Sequence, residues 1–168
     1  ETAVKEDTNW IRGFAPAGRT PVLEASARWG KLSMISAITN RGEIAFQIVE
    51  GAINAERFLE FLERLITSAA SKVLLIVDNL RVHHAKPVKA WLAEHADAIE
   101  VFYLPSYSPE LNPDEMANAD IKQAVTTLAP ARTKLQLVKA TARHLRSVQR
   151  QPERIRKYFE HDPVRYAA

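Results

Sequence analysis

The chain has no cysteine, no apolar run long enough to cross a bilayer, and no glycine-rich loop of the kind that cradles phosphates. Without cysteine there can be no disulfide and no thiolate metal site, which fits a reducing compartment. A membrane span needs roughly 18–20 consecutive apolar residues, and none is present. The absence of a nucleophile elbow and of a phosphate-binding glycine loop leaves little support for a small-molecule hydrolase on an α/β scaffold. The opening "ETAVKEDTNW" is polar and acidic, unlike a signal peptide. It also lacks an initiating methionine, so residue 1 is read as an internal position of a longer reading frame.

What remains is ordinary globular composition. The 168 residues are 46% apolar and 26% charged, enough for one domain with a substantial core. Net charge is only +3 but unevenly spread: from Ala131 onward ten Lys and Arg face three Asp and Glu, a net +7, so the first 130 residues carry −4. A basic tail suits a polyanion, and an acidic portion suits cations; a solvated helical face accounts for the tail equally well.

Residues 2–30 read as irregular, with two Pro and three Gly. "KLSMISAIT" and "EIAFQIVEG" are two β-type runs around the tight-turn signal "NRG", so a hairpin is expected. "NAERFLEFLERLITSAA" opens on Asn54 as N-cap and places Phe58, Leu59, Leu62, Leu65 and Ile66 at helical spacing. "KVLLIVD" and "IEVFYL" read as strands buried on both faces. Helices are expected over "AKPVKAWLAEHA" and "NPDEMANADIKQAVTTL", and two basic helices from Thr133 to about Phe159, broken near Pro152. The order predicts a mixed α/β sheet flanked by helices, whose functional crevice lies beyond the carboxyl ends of its parallel strands.

Asp78 stands at such an end, closing "LLIVDN", and Glu115 stands in the first turn of the following helix. Alone, Asp78 suits a turn or cap as well as catalysis, and an acid in a first helical turn is favoured by the macrodipole. The loop between them raises both. "LPSYSPELNP" packs three Pro into nine residues, a rigid connection suited to fixing where the next side chain points. Two acids delivered from separate elements are what a divalent-metal site for phosphoryl transfer needs.

"LIVDN…H" and "LPSYSPELNPDE…K" resemble the DDE-superfamily transposases, in particular the bacterial insertion-sequence branch related to the mariner elements. "RGFAPAGRTPVL", "SAITNRGEIAF", "NAERFLEFLERL" and "VKAWLAEH" also fit, over about residues 1–125. The resemblance implies a ribonuclease-H-like mixed sheet and two Asp plus one Glu (or a third Asp) holding two Mg²⁺ or Mn²⁺ ions. By it, Asp78 is the second acid and Glu115 the third; Asp114, at a position usually apolar in the family, is the rival. The first acid counts back to one residue before Glu1, so the sheet is expected to lack its first, central strand, and the fragment to be inactive alone. Glu1 and Asp7 do not match the motif.

The resemblance further implies residues 1–128 as a catalytic domain and 129–168 as basic C-terminal helices. Its activity is metal-dependent DNA cleavage and strand transfer in cut-and-paste transposition, with DNA (transposon ends and target) as partner. A homodimer, no membrane, and a bacterial cytoplasm at the nucleoid complete the expectation. The alternative is a catalytically incomplete DNA-binding or oligomerising fragment of a decayed or domesticated element. Asn79 is expected to orient Asp78, and His83 to touch phosphate or move a proton, or else merely to cap the next helix. Arg12, Arg19, Arg28 and Lys31 are candidate phosphate contacts, as are Arg143, Arg146, Arg150 and Arg154. Trp10, Trp29 and Tyr107 are able to stack on bases, with buried packing the expectation for each. Asn118 replaces a usual Trp.

Overall fold

Two short local signals set the geometry of everything that follows. Asn54 accepts from the Arg57 N–H at 2.9 Å and starts a helix, a cap worth about 1 kcal/mol. Gly42 turns the preceding hairpin at φ +93, where the left-handed backbone suits glycine. A Cβ there would also meet Pro152 atoms at 2.6–2.8 Å, so the turn is pressed against the C-terminal helices.

The computed structural model describes residues 2–5, 31–49, 51–127 and 133–168. Strands β1 (Thr2–Lys5), β2 (Lys31–Ile38) and β3 (Ile44–Val49) form an antiparallel sheet in that order. Helix α1 (Ala55–Ser68) leads to β4 (Val73–Val77), a 3-10 turn at Arg81–His84, and α2 (Lys86–Glu94). Strand β5 (Ile99–Tyr103) pairs in parallel with β4. A 3-10 turn at Pro109–Leu111 precedes α3 (Asp114–Thr127), α4 (Lys134–Gln149), α5 (Pro152–Lys157) and a last 3-10 segment, Asp162–Ala167. The hairpin, the helices and the break at Pro152 stand where the pattern puts them. Within 2–30, Thr2–Lys5 is a strand, not irregular chain.

The period-2 alternation of β2 divides the interior. Leu32 and Met34 point to one side, where α3, α4 and α5 supply Ile121, Leu137, Leu145, Val148 and Ile155. Ile35 and Ala37 point to the other, against Phe58, Phe61 and Leu62 of α1. Phe61 joins this core although the periodic reading passed over it.

Among the described residues, β4 and β5 are covered on one face only. Val77 and Ile99 sit in the α1–α2 core, while Leu74 is 66% and Phe102 46% exposed. The expectation of strands buried on both faces is therefore corrected: α1 and α2 pack on one side, and no described helix covers the other. The described strands form two sheets, with no ladder joining β2 to β4. β1 pairs with β2 only as far as Met34. Beyond that, β2 residues Ile35–Ile38 and the whole of β4 border one cavity of about 810 Å³.

Candidate active site

Asp78 follows the last residue of β4, so the strand aims its carboxylate past the sheet edge. The side chain is 38% exposed. His83, five residues on and held in the 3-10 turn, donates from Nδ1 to the Asp78 carbonyl at 3.0 Å and to its Oδ1 at 3.1 Å. Both partners are acceptors, which fixes the proton on Nδ1. The Leu80 N–H adds a third contact, to Oδ1 at 3.3 Å. Desolvation pushes the Asp78 pKa up, but His83 and the Leu80 N–H outweigh it, and the group lies below its ordinary value. His83 itself is buried and rests on Phe58, ring centroids 4.5 Å apart. Its Nδ1 is thus turned to Asp78, and the residue does not line the groove that Asp78 and Glu115 share.

Asn79 and His84 tie this strand end to the next. Asn79 donates from Nδ2 to Ser106 Oγ at 2.8 Å and accepts from His84 Nε2. The His84 ring stacks on Tyr103 at 4.4 Å, and the Tyr103 hydroxyl reaches the His83 carbonyl at 3.4 Å. Thus the β4 end, the 3-10 turn and the proline-rich loop after β5 are laced into one support. No sequence signal marks this belt, because its members are joined only through parallel strand pairing.

Glu115 lies in the first turn of α3, whose start is set by Pro113 and by Asn112, which accepts from the Asp114 N–H at 3.1 Å. It lines a groove of about 650 Å³ together with Asp78, Asn79, Arg81 and the loop from Leu104 to Pro109. Asp114 does not line that groove. It is buried, accepts from Ser36 Oγ at 2.9 and 3.0 Å and from Asn118 Nδ2 at 3.4 Å, and desolvation holds its pKa above the ordinary value. Asp114 instead borders the cavity between β2 and β4, which Asp78 also borders. Asn118, where a Trp was expected by resemblance, is therefore part of a polar cluster on the β2 face.

Arg81 was passed over in the sequence, yet it is exposed in the groove wall and makes no ion pair among the described residues. Its neighbour in sequence to Asp78 is the one clue that was available. The tail arginines divide. Arg143, Arg146 and Arg150 are exposed along the face of α4 opposite Leu137, Leu145 and Val148. Arg154 instead binds Asp120 at 2.5 Å, in a cluster where Tyr158 donates to the same carboxylate at 2.5 Å. Its guanidinium holds α5 to α3. None of these four lines the groove. Tyr107, expected to pack inside, is 101% exposed at the loop tip. Glu1, Asp7, Trp10, Arg12, Arg19, Arg28 and Trp29 lie outside the described residues; Lys31 opens β2.

Among the described residues no three His, Cys, Asp or Glu side chains gather as a metal site, and no helix is long and apolar enough to cross a membrane. Two carboxylates from a parallel strand end and a helix start nonetheless border one groove, and both are hard oxygen donors of the kind Mg²⁺ and Mn²⁺ take.

Two small sheets flanked by helices, with an acid closing a parallel strand, are compatible with the ribonuclease-H-like fold. The family model for DDE superfamily endonucleases matches residues 1–138, and the chain belongs to that family. No curated protein matches it. Among solved structures it is similar to the Mos1 strand transfer complex, at 20% identity and TM-score 0.70 over 98% of this chain and 50% of that one. The Mos1 mariner paired end complex with Mn gives 18% identity and TM-score 0.62 over 99% and 54%. The catalytic domain of Mos1 mariner transposase gives 17% and 0.56 over 96% and 82%. At these identities the likeness is one of fold, and the chain spans about half the length of the proteins in the two complexes.

Proposed function

We propose that this chain is the catalytic domain of a cut-and-paste DNA transposase, with Asp78 and Glu115 as metal-binding acids. The observation that carries the reading is their placement on one groove while the adjacent Asp114 is turned into the β2 face. Bound there, two Mg²⁺ or Mn²⁺ ions would supply Lewis-acid activation of an attacking oxygen and stabilise the leaving one at a phosphodiester. The chain's own contributions follow from its contacts. His83 and the Leu80 N–H keep Asp78 ionised and occupy Oδ1, so the second carboxylate oxygen is the one left for a ligand. Asn79, pinned between Ser106 and His84, fixes the backbone that carries Asp78. Glu115 gains from the positive end of α3. Arg81 meets a phosphate at the groove wall, and Arg143, Arg146 and Arg150 bind backbone phosphates further along the DNA.

The strand transfer and paired end complexes of Mos1, a protein of the same fold, support DNA as substrate, and we take two copies of this chain to act together. We place that action at the bacterial nucleoid. The experiment is cleavage of labelled transposon-end DNA by the full-length protein with Mg²⁺ or Mn²⁺, and with chelator. Cleavage that needs the metal, and that Asp78→Asn and Glu115→Gln each abolish without loss of DNA binding, supports the reading. DNA binding without cleavage in the full-length protein would leave the second reading, an interaction module from a decayed element. It is favoured by the presence of only two groove acids among the described residues.

A further inference from the structure

Tyr107 is held in a conformation that no contact among the described residues rewards. Its φ of +59 is left-handed, a region that bulky side chains avoid, and it is the one positive-φ residue other than glycine among those described. Strain of this kind persists only where the surroundings impose it, and it gathers at ligand sites. Here the imposing elements are on the page. Pro105 and Pro109 stiffen the loop on either side, Ser106 is tied to Asn79, and the Tyr166 hydroxyl holds the Leu111 carbonyl at 2.7 Å. The side chain that this frame presents is wholly exposed at the groove holding Asp78 and Glu115. The nearby Tyr103 is already stacked on His84. Among the described residues Tyr107 is the groove's single aromatic one, and it keeps both ring faces free of any described aromatic partner.

We infer that Tyr107 is a stacking platform for an unpaired nucleobase beside the phosphodiester that Asp78 and Glu115 address. This rests on the nucleic-acid reading of that groove. A strand that delivers a phosphate to two acids of this groove also brings its bases along the wall that Tyr107 forms, and a flat apolar π face is the surface a fixed, solvated phenol ring complements. Ring stacking tolerates any base, so the site selects for an unstacked nucleotide rather than for a sequence. Tyr107 is thus a positioning residue that sets the register of the strand in the groove.

The test is binding of the full-length protein to a short duplex with a single-stranded extension, beside the same duplex whose extension carries abasic sugars. The unmodified extension is expected to bind about tenfold or more tightly, the order of loss seen when a stacking aromatic is truncated. Tyr107→Ala should bring the two substrates level, and Tyr107→Trp should keep the preference. Tyr107→Gly should lose the preference while raising the melting temperature by about 2–4 °C, because glycine relieves the left-handed strain. A purely structural tyrosine would not lose the base preference while gaining stability. Retention of the preference in Tyr107→Ala overturns the inference and leaves the DNA reading standing. Failure of the unaltered protein to bind either substrate overturns the DNA reading itself.

Discussion

The His83 imidazole donates one N–H to two oxygens of Asp78, the main-chain carbonyl at 3.0 Å and the carboxylate at 3.1 Å. A single side chain therefore fixes both the direction of the strand end and the charge on its acid. Its own position is fixed by burial against Phe58 and by the turn that follows the strand.

Removing that contact should weaken metal binding without removing the ligand. His83→Ala is expected to raise the Mg²⁺ concentration needed for cleavage by about 10–100-fold, the usual cost of losing an outer-shell partner. His83→Asn, which keeps an N–H, should recover part of it. Titration of cleavage rate against Mg²⁺ reads this directly, and an unchanged midpoint in His83→Ala would remove the positioning role.

The two neighbouring acids of α3 should part company. Glu115→Gln is expected to cut DNA cleavage by more than about a hundredfold, beyond the cost of an outer-shell loss. Asp114→Asn should retain cleavage within a few-fold, because its carboxyl faces Ser36 and Asn118 rather than the groove. The reverse pattern in a strand-cleavage assay would exchange the assignments.

Arg81 should act through charge alone. Arg81→Ala is expected to weaken DNA binding at low salt and to reduce the slope of log affinity against log salt by about one phosphate's share. Affinities measured across a salt series give that slope. A loss that does not vary with salt would argue for a structural role instead.

The Asp120 cluster predicts a stability profile with two flanks. Desolvation pushes Asp120 up, but hydrogen bonds from Tyr158 and Arg154 prevail and leave its pKa below 3.8. Stability from Asp120 is therefore complete above its ordinary value and is lost as pH falls through the lowered one. Burial, then the bond to Asp120, pushes Tyr158 up from 10.0 to about 12. Its stabilisation is present below 10.0 and is lost as pH rises towards about 12. Tyr158→Phe should cost about 2 kcal/mol near neutrality, the worth of a bond to a charged group, and should flatten the alkaline flank. Urea melts across pH measure both.

Gly42→Ala should be among the more damaging changes at a turn. It adds left-handed strain and sets a Cβ against Pro152, with a combined cost of about 2 kcal/mol or more. A wild-type midpoint in urea would show that the hairpin and α5 can separate freely.

Some of this was written in the chain. "LLIVDN" was readable as a strand closing on an acid, because an apolar β-type run stops where a polar pair and a turn follow. Asn54, Pro113 and Pro152 punctuate their helices by rules that involve only neighbouring residues, so these boundaries were legible. The resemblance of the proline-rich loop pointed to Glu115 rather than Asp114, and Glu115 lines the groove with Asp78. What the sequence could not decide was how apolar residues divide between inside and outside. Leu74 and Phe102 look as buried as Val77 and Ile99, and the difference arises because helices cover one face of the β4–β5 pair and not the other. Nor could it tell which of two arginines of like spacing was free, since Arg154 meets Asp120 across 34 residues of chain. Local preference and periodicity act over a turn or two; burial, ion pairing and the exposure of Tyr107 depend on partners brought together from distant segments, and only the folded packing settles them.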